Sequence, residues 1–223
     1  MKHNRKHPPK HGKQFEPVYT SSTLAGAVRM MGDDERAMAR DCFEHYRREF
    51  RRIAHEAPVN VAHTVHGLLD LRTQDMLTTS PHAPDIQCGK GCAACCHLYV
   101  EITPHEADLL LMEADALGIA IDYERLARQA LKDDVTWRDL APEDRRCVFL
   151  GDDRACKVYE HRPGACRKYF VKSDPDLCDM HKHPGGKVAI VFSVEAEIVH
   201  SAAMTEYGAG NMAAMLLKRS SKT

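Results

Sequence analysis

The sequence is poor in aromatic residues and has no long apolar run. Phe, Tyr and Trp make up 6% of the chain, with a single tryptophan. That scarcity argues against a base-stacking platform for single-stranded nucleic acid. No apolar run approaches the roughly eighteen residues of a membrane span, so no membrane partner is expected. The stretch 24–31 follows a basic leader, but it is short and Arg29 interrupts it, which does not fit a secretory signal. Net charge is small as well: 31 Lys and Arg against 32 Asp and Glu leave -1. This balance argues against a protein that coats nucleic acid or anionic membrane over its whole surface. A nucleotide-type Gly-rich loop is missing, since Gly208-Ala209-Gly210 follows no clear strand. Neither a Ser/His/Asp arrangement nor a paired-carboxylate site can be placed.

What the sequence does have is cysteine. Cys88-Gly89-Lys90-Gly91-Cys92-Ala93-Ala94-Cys95-Cys96 holds four thiols within nine residues, and Cys147, Cys156, Cys166 and Cys178 form a second set. Only Cys42 lies outside both groups; it falls on a helical stretch and reads as a packed thiol. Thiolates are soft donors suited to Zn²⁺, Cu(I) or iron–sulfur clusters. Gly89 and Gly91 offer the positive φ angles that a tight ligand loop often needs. A disulfide framework fits small secreted chains better than 223 residues without an export signal. Unpaired thiols point instead to the reducing cytoplasm. The expectation is that the two groups meet in space and share metal.

Four thiolates satisfy one tetrahedral zinc, or hold a [2Fe–2S] or [4Fe–4S] unit. Eight match two zinc sites, or one cluster plus a zinc. Adjacent Cys95 and Cys96, if extended, point to opposite sides and serve separate centres; a thiolate bridging two close metals is the alternative. Arg162 and Arg167 flank Cys166. As cofactor-binding residues they favour thiolate over thiol and offset the negative charge of a Cys-rich site, or else bind an anionic substrate or a partner carboxylate. His97 ranks below the cysteines as a ligand.

The helical pattern at 33–57 sets Met38, Ala39, Phe43, Tyr46, Phe50 and Ile53 on one stripe. Its basic face, Arg47, Arg48, Arg51 and Arg52, reads as a solvated surface or a protein-partner contact. A second helix follows Asn60 to about residue 78, and His55, His63 and His66 lie on this pair. Thr103-Pro104-His105-Glu106 is a helix start with a capping box. Asp122 caps a further helix. Residues 147–156 read as a hairpin turning at Gly151-Asp152-Asp153, with one thiol on each arm. Pro163 starts a short helix that projects Cys166. The fold class expected is mainly α, with a small β-hairpin and an irregular cysteine-rich core. The expected organisation is a disordered basic, His-rich tail over 1–20, helices over 21–80, a cysteine-cluster domain over 81–184 and a strand/helix segment over 185–223 completing it.

The cysteine loop resembles the motif of the YkgJ-like cysteine-cluster family, described as zinc- or iron-chelating. The likeness continues through Ile102-Thr103-Pro104-His105-Glu106-Ala107 and Cys147-Val148-Phe149-Leu150. It extends over Cys156-Lys157-Val158-Tyr159-Glu160-His161-Arg162-Pro163 and Cys166-Arg167. It implies a metal-chelating domain over roughly residues 88–178. Distant relatives, the flagellin lysine N-methylases, are associated with an iron–sulfur cofactor, so the resemblance also implies an iron–sulfur-dependent protein-modifying enzyme as a second reading. A structural-zinc interaction module is the third. The spacing Cys88-x3-Cys92-x2-Cys95 also resembles the cluster loop of radical S-adenosylmethionine enzymes, but the repeated strand–helix units of their barrel are not visible.

Overall fold

The computed structural model describes residues 21–89, 91–179 and 182–221. The tail expected over 1–20 lies outside the described residues. Three helices open the fold: α1 (Ser22–Met30), α2 (Asp33–Glu56) and α3 (Val61–Thr79). Asp33, Asp34 and Glu35 occupy the first turn of α2, where the helix dipole favours negative charge. Pro58 ends that helix in a 3₁₀ turn leading into α3.

These helices pack with α8 (Val194–Tyr207) around Leu24, Phe43, Phe50, Val65, Leu69, Val199 and Ala203. Full burial of a side chain such as Phe50 contributes about 1.5–3 kcal/mol. The α2 stripe holds at Ala39, Phe43 and Phe50, but Met38 points outward and is exposed. The expectation that Cys42 is packed also fails: it sits on the solvent side of α2. The basic face is partly engaged by the fold itself. Arg51 makes a two-pronged ion pair with Glu206 of α8, and Arg47 reaches the same carboxylate at 3.3 Å.

A second core forms around Ile102, Leu110, Leu126, Phe149, Val158, Met212 and Leu216. It joins α4 (Pro104–Ala116), α5 (Tyr123–Ala130) and α9 (Met212–Ser220). The α4 start follows its capping box: Thr103 Oγ1 accepts from Glu106 N–H, and the Glu106 carboxylate accepts from Thr103 N–H at 2.8 Å. Asp122 caps α5 through Arg125 N–H. Two four-residue helices, α6 (Pro142–Arg145) and α7 (Gly164–Arg167), complete the helical set among the described residues.

Strand content is small. β1 (Glu101–Ile102) pairs antiparallel with β4 (Gly210–Asn211), and β2 (Phe170–Val171) pairs antiparallel with β3 (Ile190–Val191). Both pairs join distant segments. Residues 147–156 do double back, but with a single bridge between Leu150 and Cys156 rather than a two-stranded hairpin. Arg154, at φ 61, takes the left-handed position in that tight loop. The fold is mainly α, as expected, and its C-terminal helices divide their work: α8 closes the first core and α9 the second.

A polar cluster sits inside this packing. Glu106 is 3% exposed and accepts from Gly164 N–H at 2.7 Å, with His66 Nε2 at 3.1 Å. Burial alone would raise its carboxyl, yet the His66 contact, nearby imidazole charge and the Gly164 amide outweigh it and hold the group at about 2. His200 of α8 lies close by, and its Nε2 is buried without a hydrogen-bond partner among the described residues. Burial, helped by the Lys168 charge, pushes its imidazole down to about 4. The unfolded chain therefore takes up this proton first as pH falls below 6.5. His200 contributes stability that is complete above that pH and is lost towards pH 4. Replacing His200 with Leu should flatten stability against pH across this window by up to about 1.4 kcal/mol per pH unit. Urea unfolding of both proteins at a series of pH values measures the difference.

Candidate metal centre

The first thiol group rides on a loop with few regular hydrogen bonds. Gly91, at φ 87, supplies the left-handed residue expected of it. Cys92 N–H closes on Gly89 O, and residues Ala94–His97 form a 3₁₀ turn. Cys95 and Cys96 therefore lie on a turn and not on an extended strand, and they do not separate to opposite sides as expected. Their thiols engage each other, and this contact is the largest influence on Cys95.

Two tethers bring the groups together. Cys147 N–H donates to Cys96 O at 2.8 Å, which fastens the 147–156 loop to the first group. On the other side, Gln87 N–H donates to Val171 O at 2.9 Å, and Val171 N–H donates to Cys88 Sγ at 3.2 Å. Cys166 comes from α7, and Cys178 from a 3₁₀ turn at Pro175–Cys178.

Cys88, Cys92, Cys95, Cys96, Cys147, Cys156 and Cys166 line one cavity of about 610 Å³. Cys178 is buried beside it and feels Cys88, Cys92 and Cys95. Cys166 instead feels Cys147, Cys95 and Cys156. Cys95 thus stands between two subsets, Cys88/Cys92/Cys178 and Cys147/Cys156/Cys166. All nine cysteines of the chain are free thiols. Cys166 lines the cavity and keeps part of its surface exposed.

Burial governs the charge of these groups. It pushes Cys147 up to about 12 and Cys178 up to about 11, with neighbouring thiols adding to the effect. Cys166 is raised well above the ordinary thiol value by burial and then by Cys147, Cys95 and Cys156. Cys88 and Cys156 also rise through burial, opposed by the amides of Val171 and Val158. Without added positive charge, burial favours the protonated form of Cys88, Cys147, Cys156, Cys166 and Cys178. Among the described residues, no three Cys, His, Asp or Glu side chains stand as a ready-made ion site. The thiols face a shared space rather than a shared point. The donor set nevertheless fits a soft cation, whose charge offsets the burial of thiolates.

Arg162 lines the cavity and lowers the cost of thiolate at Cys95 and Cys156. Its guanidinium lies 4.0 Å from the Tyr159 ring centre. Arg167 does not line the cavity. It is 5% exposed and is spent on Asp70 at 2.6 Å and on the Arg162 and Glu160 carbonyls. Its bonds hold the turn that carries Cys166. His97 points elsewhere: its Nδ1 lies 3.2 Å from Ala93 O, and it lines a second cleft of about 710 Å³ that shares Cys92. The sequence reading passed over Gln129, Arg145, Tyr169 and Met212, which also line the thiol cavity.

Residues 87–184 match the family model described as "CxxCxxCC: Putative zinc- or iron-chelating domain". The matched stretch takes in all eight clustered cysteines and covers less than half of the chain. Its first cysteine spacing is one residue longer than the family's label spells, because Gly89, Lys90 and Gly91 all separate Cys88 from Cys92. No curated protein and no solved structure matches the chain. The segments outside 87–184 supply part of the thiol cavity wall: Asn211, Met212 and Ala213 belong to the C-terminal segment.

Gly164 lies where the turn carrying Cys166 meets the first core. A Cβ there would meet Leu69 Cδ1 at 2.8 Å and His200 Cδ2 at 2.9 Å, both in tightly packed surroundings. Gly164→Ala should therefore destabilise the protein by about 1–3 kcal/mol, the usual cost of overpacking. It should also loosen Cys166, two residues along. Chemical denaturation together with the metal content of the purified variant checks both effects.

Proposed function

We propose that this protein holds zinc or an iron–sulfur cluster through its two converging groups of four cysteines. The observation that carries the reading is the single cavity lined by seven thiols drawn from both groups, with the eighth beside it. The CxxCxxCC match supports metal chelation independently. The chemistry of the lining makes a soft cation the natural counter-charge, since the buried thiols repel one another as thiolates.

Within this reading Cys88, Cys92 and Cys178 serve one end, and Cys147, Cys156 and Cys166 the other. Cys95 and Cys96 supply the remaining donors. Arg162 is the cofactor-binding arginine, offsetting thiolate charge at Cys95 and Cys156. Arg167 acts through position, holding the Cys166 turn to Asp70 of α3. Bound zinc would cross-link these segments, whereas an iron–sulfur cluster would add electron transfer. A reducing compartment such as the cytoplasm fits nine thiols that work without pairing.

Anaerobic purification followed by elemental analysis and absorption spectroscopy tests the reading. Stoichiometric zinc, or iron with acid-labile sulfide, is the expected result. Cys92→Ser and Cys166→Ser should each lower the metal content and the melting temperature. Reloading the metal-free protein should release protons, because burial keeps the free thiols protonated. Affinity should therefore weaken as pH falls. A protein that keeps its fold and heat resistance after exhaustive chelation, with both serine variants unaffected, would overturn the proposal.

A further inference from the structure

The thiols occupy only part of their cavity. Its volume, about 610 Å³, lies in the range of small-molecule pockets, roughly 300–1,000 Å³. Leu98, Val100, Trp137, Phe149 and Met212 give the remaining wall an apolar character. Two polar side chains on that wall have unmet bonding needs.

Arg145 is the first. It ends α6, is 9% exposed and lines the cavity. Its Nε is shut off from solvent without a partner. Among the described residues its guanidinium makes no ion pair or hydrogen bond. Other arginines with a shut-in Nε differ: Arg47, Arg72, Arg125 and Arg146 each place another nitrogen on an acidic side chain. The carboxylates that line the cavity, Asp153 and Glu160, are exposed, and neither pairs with Arg145. A buried guanidinium is a costly group to leave unpaired, and carboxylate is its best planar partner.

Gln129 is the second. It is 1% exposed and lines the same cavity. Its Nε2 donates to Asp144 O at 2.6 Å and to Arg146 O at 3.0 Å, the carbonyls on either side of Arg145. Those two acceptors fix which end of the amide is nitrogen. The Oε1 that remains is buried with no partner, so it calls for a donor.

We propose that the thiol cavity has a second subsite, built by Arg145 and Gln129, for a small organic acid. The ligand carries a carboxylate for Arg145, a hydroxyl or ammonium donor near it for Gln129, and a short apolar body for the Leu98, Val100 and Met212 wall. This site stands apart from the metal reading, because neither residue is a thiol ligand and the demand of each is met without metal. It gives the protein a ligand beside its thiol centre.

Trp137 makes the test direct, since the chain's one tryptophan lines the cavity. 2-Hydroxyhexanoate is titrated into the full-length protein as purified, followed by calorimetry and tryptophan emission. The expected result is saturable one-to-one binding with a change in emission. 2-Hydroxyhexanamide, which lacks the charge, and hexanoate, which lacks the donor, should each bind more weakly. Norleucine in a parallel titration decides between hydroxyl and ammonium as the donor. Arg145→Gln should weaken the acid by about 10-fold or more, the loss expected for one charge-assisted contact. Its metal content should match that of the wild type. Absence of saturable binding by either acid, or equal binding of the neutral amide, overturns the proposal. So does unchanged affinity in a folded Arg145→Gln protein, or loss of metal from that variant. If the variant does not fold, the comparison of acid with amide on the wild type decides alone. Metal content, measured separately, shows whether the thiol reading survives.

Discussion

Crowding thiols around one cavity is the constraint on which the rest of this structure depends. A thiol buried among other thiols resists losing its proton, and each thiolate formed makes the next harder to form. Cys147 and Cys166 show both effects at once, raised first by burial and then by their neighbours. Such a collection is not favourable as apolar filling, because sulfurs that face a cavity pack against little. It becomes favourable when a cation enters and the protons leave. The tethers Cys147 N–H to Cys96 O and Val171 N–H to Cys88 Sγ hold the parts close enough for that exchange.

The two helical cores serve this arrangement from opposite sides. Leu69 of the first core and His200 leave no room for a Cβ at Gly164, the first residue of α7, which carries Cys166. Glu106 locks the same point by taking the Gly164 amide while capping its own helix. One carboxylate thus joins the start of α4 to the start of α7. The second core carries the floor, with Phe149 and Met212 belonging both to its packing and to the cavity wall. The turn that carries Cys166 and the first core meet at Gly164, where an added Cβ would come within 3 Å of Leu69 and His200.

Much of this was legible in the sequence. Fixed thiol spacing exposed the two cysteine groups that line the cavity, and Thr103 with Glu106 exposed the α4 start, because both signals are local and chemically narrow. Helical periodicity located Phe43 and Phe50 but misjudged Met38, since a stripe covers more of a helix than its neighbours bury. Cys42 was misread for the same reason: hydrophobic character does not say which side of α2 faces α8. The expected hairpin at 147–156 shrank to one bridge: Leu150 N–H closes a turn on Cys147 O, and Cys147 turns its own amide to Cys96, a long-range bond no local pattern announces. Arg145 and Gln129 were invisible as a pair. Their significance lies in partners they lack, and only the packed chain shows which groups have gone without.

The order of elements along the chain has a consequence for biosynthesis. The eight clustered cysteines span residues 88–178, whereas α8 and α9, which close the two cores, begin at Val194 and Met212. Every thiol of the centre is therefore translated before the shell that shields it can form. During that interval the nascent chain presents loose sulfurs to stray oxidants and to any passing metal, and its safe maturation rests on the cell keeping both in check until the last helices dock.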